Sequence, residues 1–216
     1  MSELYKDTIN WDQYWIDDGE NKAMIAGSEK MAKRIGIFID RYSINHVADF
    51  GCGSGRTLFL LAKKYPDLKF SGFDSAISII SKNRSRAKEL KLDNIKFECE
   101  FLPNIKTKIK FDLIFCIASL HYVRDIKKAI LELYDRISNK GFLIFNYPNR
   151  YSMYWYRNWI KRDDIDQRKR FSLVLNGSNL LTLPEIESLL KRRARNFWLT
   201  VGEKSDRANM AVVIQK

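Results

Sequence analysis

The sequence HVADFGCGSGR, residues 46–56, has glycine at three alternate positions directly after a short apolar run. Glycine permits positive φ and lets a ligand approach the backbone closely, so Gly51, Gly53 and Gly55 predict a turn against a bound molecule. The spacing is GxGxG, whereas dinucleotide-binding turns have GxGxxG, and Arg56 stands where the third glycine of that pattern would be. The spacing therefore argues against NAD as the ligand.

A second chemical signal is Asp74, which follows Gly55 by nineteen residues and ends another apolar run in SGFDSA. A carboxylate at the end of the second strand can accept both ribose hydroxyls of an adenosine group. The alternative interpretation is a helix N-cap, since Asp74 and Ser75 precede a helical run. Together, the glycine turn and Asp74 predict a nucleotide-like ligand at a helix N-terminus.

The elements that must position these residues alternate between strand-like and helical runs from residue 45 to residue 146. This alternation predicts an α/β fold with a parallel sheet. The five predicted strands are HVADF, LKFSGFD, NIKFECE, FDLIFCIA and GFLIFNYP, and the helical runs between them include RTLFLLAKKYP, ISIISKNRSRAKELK and KKAILELYDRIS. Near the C-terminus, FWLTVGE and NMAVVIQK predict a hairpin around the turn-like KSDRA.

Composition sets the broad class. A chain of 216 residues without a Pro/Gly/Ser-rich linker suits one globular domain. The net charge of +12 indicates either a polyanionic partner or simply a lysine-rich composition. Cys52, Cys99 and Cys116 are far apart in apolar surroundings and predict reduced thiols rather than disulfides or a metal pair. The N-terminus is unlike a signal peptide and no run approaches a membrane span, so we expect a cytoplasmic protein with no metal site.

In order and spacing, several segments resemble the class I S-adenosylmethionine (SAM)-dependent methyltransferases with a small, type 11/12-like domain. The matching segments are VADFGCGSGR, GFDSA, IKFECEFLP, FDLIFCIASLHYV and KGFLIF, within residues 43–146. The resemblance implies a Rossmann-like, seven-stranded, mostly parallel sheet of order 3-2-1-4-5-7-6, with the last strand antiparallel and helices on both faces. It also implies SAM as cofactor and S-adenosylhomocysteine (SAH) as product.

By position, the resemblance implies a role for each matching residue. Asp49 would contact the amino group of the methionine portion, Asp74 the ribose, Glu98 the adenine amino group and the Cys99 N–H a ring nitrogen. An N-terminal aromatic segment would cover the methionine end of the cofactor. The predicted cofactor-binding residues are Asp49, Gly51, Cys52, Gly53, Gly55, Asp74, Ser75, Glu98, Cys99, Cys116 and Trp15. For Cys116, the apolar neighbours favour a buried core thiol over a covalent nucleophile.

The family sets residues beside the methyl group at the carboxyl end of the fourth strand, here CIASLHYV. The predicted catalytic residues are His121 and Tyr122. A histidine can act as general base at neutral pH, and the alternative is that His121 packs between strand and helix. His46 is predicted to be structural. The sequence lacks the (Asp/Asn)-Pro-Pro-aromatic motif, which disfavours methylation of adenine N6 or glutamine.

Acceptor choice is assigned to the least regular parts of the chain. The WDQYW segment predicts either a cover over the cofactor or a helix that packs by its aromatic face. The aromatic and basic residues after the fifth strand predict a cap over an anionic small molecule. One alternative is a nucleic-acid surface that stacks bases and binds phosphates. The other is a helix that packs one aromatic face on the sheet. The predicted substrate-binding residues are Tyr14, Tyr147, Arg150, Tyr151, Tyr154 and Trp155.

The chain is predicted to be a single domain, 1–216. It comprises a helical lid (1–43), a cofactor-binding core (44–146), a substrate cap (147–181) and a C-terminal helix and strand pair (182–216). The C-terminal helix is predicted to begin at a capping box formed by Thr182 and Glu185. The leading hypothesis is methyl transfer to O or N of a small, anionic metabolite. One alternative is a tRNA or other RNA methyltransferase that binds phosphates through the basic residues of 150–170 and through Lys191, Arg192, Arg193 and Arg195. The other alternative is a non-catalytic interaction subunit. The acceptor, the use of a base and the oligomeric state are not predicted.

Overall fold

A computed structural model describes residues 10–17, 22–190, 194, 196–200 and 211–216. Its centre is a seven-stranded sheet of order β3-β2-β1-β4-β5-β7-β6. The strands are β1 (His46–Phe50), β2 (Lys69–Asp74), β3 (Ile95–Cys99), β4 (Phe111–Cys116), β5 (Ile137–Asn146), β6 (Asn196–Thr200) and β7 (Ala211–Gln215). The first five strands pair in parallel, and β7 runs antiparallel to both β5 and β6. The predicted fold class is confirmed.

Helices cover both faces of this sheet. They are α1 (Trp11–Asp17), α2 (Lys22–Arg41), α3 (Arg56–Lys64), α4 (Ile77–Glu89), α5 (Ile126–Asp135), α6 (Arg150–Trp159), α7 (Ile165–Arg170), α8 (Ser172–Leu175) and α9 (Leu183–Leu190), with a 3₁₀ turn at Leu120–Tyr122. No helix in the described part of the chain is long and apolar enough to cross a membrane.

Two apolar cores explain why the central strands are continuous hydrophobic runs. Neighbouring strand residues point to opposite faces of a sheet, and Val47 and Ala48 are fully buried in different cores. Val47 belongs to the core that contains Leu58 of α3 and residues of α2, whereas Ala48 belongs to the core that contains Leu133 of α5 and residues of α9. The side chains at the carboxyl ends of these strands are therefore held by packing on both sides.

The segments outside the parallel core also form helices. The region 147–181 contains α6, α7 and α8. The predicted capping box is present before α9, since the Thr182 N–H donates to the Glu185 carboxylate at 2.9 Å and the Glu185 N–H donates to Thr182 Oγ1 at 3.4 Å. The predicted turn KSDRA, and Lys191, Arg192, Arg193 and Arg195, lie outside the described residues.

Candidate active site

A cavity of about 900 Å³ lies at the carboxyl ends of the central parallel strands. Its lining includes Asp49 on β1, Asp74 at the end of β2, Phe115 on β4 and Asn146 at the end of β5. β1 has β2 on one side and β4 on the other, so the strand order reverses here. Ligands of open α/β sheets bind at such a reversal, which makes this cavity the candidate active site.

The glycine turn forms one wall of the cavity and is fixed to the end of β2. The N–H groups of Gly51 and Cys52 donate to the Phe73 carbonyl at 2.7 and 2.9 Å, and the Gly53 N–H donates to Asp74 Oδ2 at 2.9 Å. Gly53 has φ of 50°, and a Cβ there would lie 2.7 Å from the Trp15 ring. Only glycine therefore fits at this position.

Two carboxyl groups face the same end of the cavity, that of Asp49 buried and that of Asp74 half-buried. Asp49 is 6 % exposed, and its burial, followed by the nearby Asp74 charge, raises the pKa of its carboxyl well above the usual range. Burial also raises the pKa of Asp74, although its oxygens accept from the Gly53 and Ala76 N–H groups. Burial of two acidic groups side by side favours a ligand that brings positive charge or hydroxyl donors.

A third acidic residue of the cavity lining is Glu100, whereas Glu98 and Cys99, the two residues predicted to contact adenine, lie outside the lining. Glu98 is exposed, because β3 alternates and Phe97 occupies the buried side. Cys99 contacts the Ser75 carbonyl through its Sγ at 3.6 Å and does not line the cavity. Glu100 lines the cavity and accepts from the Lys106 and Thr107 N–H groups at 2.9 and 2.8 Å. The alternation of IKFECE is the signal that points away from Glu98.

The loop after β4 is held by a residue that the sequence analysis missed, Asn146. Its Oδ1 accepts from the Ala118 N–H at 2.7 Å, and Ala118 has a positive φ of 58°, an uncommon conformation for alanine. Ser119, the next residue, lines the cavity and donates from Oγ to the Gly51 carbonyl at 3.3 Å. The sequence feature that could have indicated Asn146 is its place as the polar residue at the end of the apolar run GFLIFN.

Cys116 is not part of the cofactor site. The side chain is fully buried in the core, and burial raises the pKa of its thiol, so that the thiol stays protonated. The interpretation as a core thiol is supported, and the assignment to the cofactor is corrected. Gly55 also lies outside the lining. It precedes α3, and a Cβ there would contact the Phe97 ring at 2.8 Å.

The structure separates the two predicted catalytic residues. Tyr122 lines the cavity, and burial raises the pKa of its phenol. His121 is 2 % exposed, packs edge-on against Tyr156 with centroids 6.0 Å apart, and does not line the cavity, so its assignment as catalytic is corrected. Asn179 fixes this turn, because its Nδ2 donates to the Leu120, His121 and Val123 carbonyls at 3.3, 2.9 and 3.2 Å.

The aromatic face of α1 lines the cavity. Trp15 lies against Gly53, and Trp11 packs edge-on against Tyr122 with ring centroids 4.7 Å apart. The helix is attached to α4 rather than to the sheet, because Asp12 Oδ1 accepts from the Ser78 N–H at 2.8 Å and Lys82 donates to the Trp15 carbonyl at 3.0 Å.

The cap contributes a different set of residues from the predicted one. Trp159, Gln167, Arg170 and Phe171 line the cavity, and the Arg170 guanidinium lies 4.3 Å from the centre of the Tyr14 ring. Of the predicted residues, Tyr14 lines the cavity but Tyr147 is fully buried in the core. The remaining four are exposed on α6 and lie outside the lining: Arg150, Tyr151, Tyr154 and Trp155.

The sheet order, the glycine turn and the strand-end carboxylates define an α/β domain of the class I methyltransferase type. Residues 43–191, more than half of the chain, match the family model described as a methyltransferase domain. The chain therefore belongs to the methyltransferase domain family, and the predicted family is confirmed.

Similar proteins include two curated relatives. Over 127 residues the chain is 31% identical to the trans-aconitate 2-methyltransferase of Escherichia fergusonii, an alignment that covers 59% of this chain and 45% of that one. Over 122 residues it is 28% identical to the malonyl-[acyl-carrier protein] O-methyltransferase of Bacillus anthracis, with 55% and 44% covered. The matches thus span less than half the length of either relative.

Among solved structures, the plantazolicin methyltransferase BamL, in complex with a triazolic desmethylPZN analog and SAH, is similar with a TM-score of 0.67. The sequence identity is 16%, and the match covers 95% of this chain and 90% of BamL. At this identity the similarity supports the fold alone.

Proposed function

We propose that this chain is a SAM-dependent methyltransferase that methylates a carboxylate oxygen of a small anionic acceptor. The observation that carries the proposal is the composition of the cavity at the carboxyl ends of the strands. One end holds the glycine turn, Asp49 and Asp74, and the other end holds Tyr122 and Arg170 among aromatic side chains. The first end suits the cofactor and the second suits an acceptor with a negative charge.

The residues at the first end fit SAM. Gly53 and Trp15 both line the cavity and pack so closely that any side chain at Gly53 would clash with the Trp15 ring, and Asp74 offers its carboxylate to ribose hydroxyls. Asp49 is placed to attract the ammonium group of the methionine portion, and Glu100 to accept from the adenine amino group. When bound, SAM supplies an electrophilic methyl group on a sulfonium sulfur.

The residues at the second end favour an acceptor that needs no general base. The described lining contains no histidine, and burial keeps the Tyr122 phenol protonated. A carboxylate is already ionised at neutral pH, so its oxygen can attack without losing a proton. Tyr122 can instead donate a hydrogen bond that orients the acceptor.

The positively charged groups of the cavity lining support an anionic acceptor. Arg170 is half-buried against Tyr14, and Lys30 and Arg34 lie at the exposed edge of the cavity on α2. A guanidinium binds a carboxylate through two parallel hydrogen bonds, which fixes orientation as well as position. The catalytic contribution expected of this chain is therefore positioning and exclusion of water.

The experiment combines calorimetry and product detection. We expect wild-type protein to bind SAH with a micromolar Kd, and the Asp74→Ala variant to bind at least tenfold more weakly. An Asp67→Ala variant, which removes an exposed aspartate outside the cavity, is the matched control. Mass spectrometry should then detect methyl esters with benzoate or trans-aconitate as probes, and an Arg170→Gln variant should raise the KM for these probes.

Two results would contradict the proposal. Absence of SAM and SAH binding by the wild type would favour a non-catalytic interaction subunit. Methylation of tRNA, but of none of the carboxylates, would favour an RNA methyltransferase, and its affinity should then fall steeply with salt.

A further inference from the structure

Helix α6 presents an aromatic stripe to solvent, which we define as Tyr151, Tyr154, Trp155 and Trp159. These side chains are 65%, 71%, 41% and 54% exposed, respectively. Their spacing of three and four residues places them on one face, while Ser152 and Tyr156 point from the other face into the protein. Scattered exposed aromatics are ordinary, but four on one helix face form a patch typical of a binding surface.

The aromatic stripe is continuous with the wall of the cavity. Trp159 belongs to both, and Trp155 stacks on it with ring centroids 5.0 Å apart and an interplanar angle of 16°. Both tryptophans contact Tyr156, which stacks on Phe171 at 4.1 Å, and Phe171 lines the cavity. A molecule that leaves the cavity past Trp159 therefore meets the stripe next.

The cavity volume and the length of the stripe indicate why an acceptor would extend from the cavity along the stripe. A pocket for one small ligand spans about 300–1,000 Å³, and this cavity of about 900 Å³ must take both the cofactor and the reacting end of the acceptor. Tyr151 and Trp159 are eight residues apart, so the stripe is about 12 Å long at about 1.5 Å per residue. Two or three fused or linked rings match that length.

The charges beside the stripe are of both signs, because the exposed Lys161 and Arg162 lie between Trp159 and the first of several acidic residues. Asp163 and Asp166 are exposed and follow Trp159 within seven residues, and Asp164 caps α7. On the cationic side, Arg157 is engaged with the Leu175 carbonyl at 2.8 Å. A phosphate backbone or an anionic lipid surface laid along the stripe would meet these carboxylates as well as the cations, whereas the binding of a flat, uncharged ring system depends on neither sign of charge.

We propose that the aromatic stripe binds the distal part of the methyl acceptor, a flat aromatic or heteroaromatic tail whose reacting group lies in the cavity. This inference rests on the proposed function. Aromatic faces provide offset stacking and apolar contact for such a tail, and rigid rings lose little conformational entropy on binding.

The test compares benzoate with biphenyl-4-carboxylate as probes, each titrated calorimetrically into the full chain saturated with SAH. We expect the second ring to strengthen binding by about tenfold in the wild type. The Tyr151→Ala/Trp155→Ala double variant should lose this gain while keeping its affinity for SAH and for benzoate. Trp155→Phe should retain most of the gain, and Ile109→Ala, which changes an exposed apolar residue away from the cavity, is the matched control.

Equal affinity of the wild type for the two probes, or a gain that survives in the double variant, would overturn the inference. So would stripe-dependent binding of tRNA or of anionic phosphatidylglycerol vesicles without any dependence on the second ring. The SAH titration separates the two proposals, because loss of SAH binding in the wild type contradicts the methyltransferase function. The ring dependence can still be measured without SAH.

Discussion

At the scale of single residues, Asp49 occupies a position that is unfavourable for its own charge. Burial and the nearby Asp74 both raise the pKa of its carboxyl. A carboxyl whose pKa is raised on folding binds its proton more tightly in the folded state. The ionised form therefore lowers stability above the ordinary aspartate pKa of 3.8, and this penalty is complete only above the raised pKa.

Replacement of Asp49 by asparagine removes that charge with little change in shape. We expect Asp49→Asn to raise the free energy of unfolding at pH 7 and to weaken SAH binding at least tenfold, because the ligand ammonium loses its partner. Urea unfolding at several pH values measures the first effect and calorimetry the second. The stability difference should shrink as the pH falls towards 3.8; a difference that grows there would contradict the assignment.

The glycine turn permits a matched pair of substitutions. Gly53 and Gly177 both have positive φ, of 50° and 80°, but only Gly53 has a close neighbour, the Trp15 ring. Alanine at either position should cost about 1–2 kcal/mol of stability through backbone strain. Only Gly53→Ala should also displace Trp15 and abolish SAH binding. Equal SAH affinity of the two variants, measured calorimetrically, would contradict the role of Trp15.

Single residues differ in how well the sequence predicts them. Asp49 and Asp74 were predictable because each lies within or at the end of an apolar run that becomes a central strand. Glu98 and Glu100 both follow Phe97 closely, and only the exact end of β3 decides that Glu100 enters the cavity. His121 and Tyr122 are adjacent in a 3₁₀ turn, whose orientation depends on the distant Asn179.

At the scale of elements, α1 completes the N-terminus of α4. The residue before α4 is Ala76, which provides no side-chain cap, and the Asp12 carboxylate accepts from the Ser78 N–H instead. Free N–H groups in the first turn of a helix require such a partner. The position of Trp15 beside the glycine turn therefore depends on a hydrogen bond between helices that are distant in the sequence.

Loss of this cap should release α1. We expect Asp12→Ala to lower stability by about 0.5–2 kcal/mol and to accelerate SAH dissociation, because Trp15 is no longer held over Gly53. Stopped-flow tryptophan fluorescence measures the dissociation rate, and hydrogen exchange follows residues 11–17. Asp12→Asn keeps an oxygen acceptor and serves as the control. An unchanged dissociation rate in Asp12→Ala would contradict the role of α1 in retaining the cofactor.

Patterns of hydrophobicity predict where helices and strands occur better than they predict which face of a helix packs against the rest of the protein. The continuous runs of β1, β2, β4 and β5 follow from burial on both faces, and all were predictable. The periodicity of α6 predicts a helix, but it does not show which face packs. Because Tyr156 and Ile160 fill the interior beside Phe171, the four aromatic residues of the stripe remain exposed.

At the scale of the whole molecule, cofactor binding should be visible as a shift of thermal unfolding. A ligand at one hundred times its Kd stabilises the folded state by about 2.7 kcal/mol, which for a chain of this length corresponds to a rise in Tm of roughly 5–10 °C. Scanning fluorimetry with SAH measures the shift. The Asp74→Ala variant should show a much smaller one, and an unchanged wild-type Tm at millimolar SAH would contradict the cofactor assignment.

The contacts of α1 on two sides lead us to expect a fixed order of binding and release. Trp15 lies against the glycine turn, while Trp11 contacts Tyr122 and Tyr14 lies beneath the Arg170 guanidinium. Any movement of this one helix would change the contacts at the cofactor end and at the acceptor end together. Steady-state kinetics should accordingly follow a compulsory order in which SAM enters first and SAH departs last. SAH should then inhibit competitively against SAM and non-competitively against the acceptor.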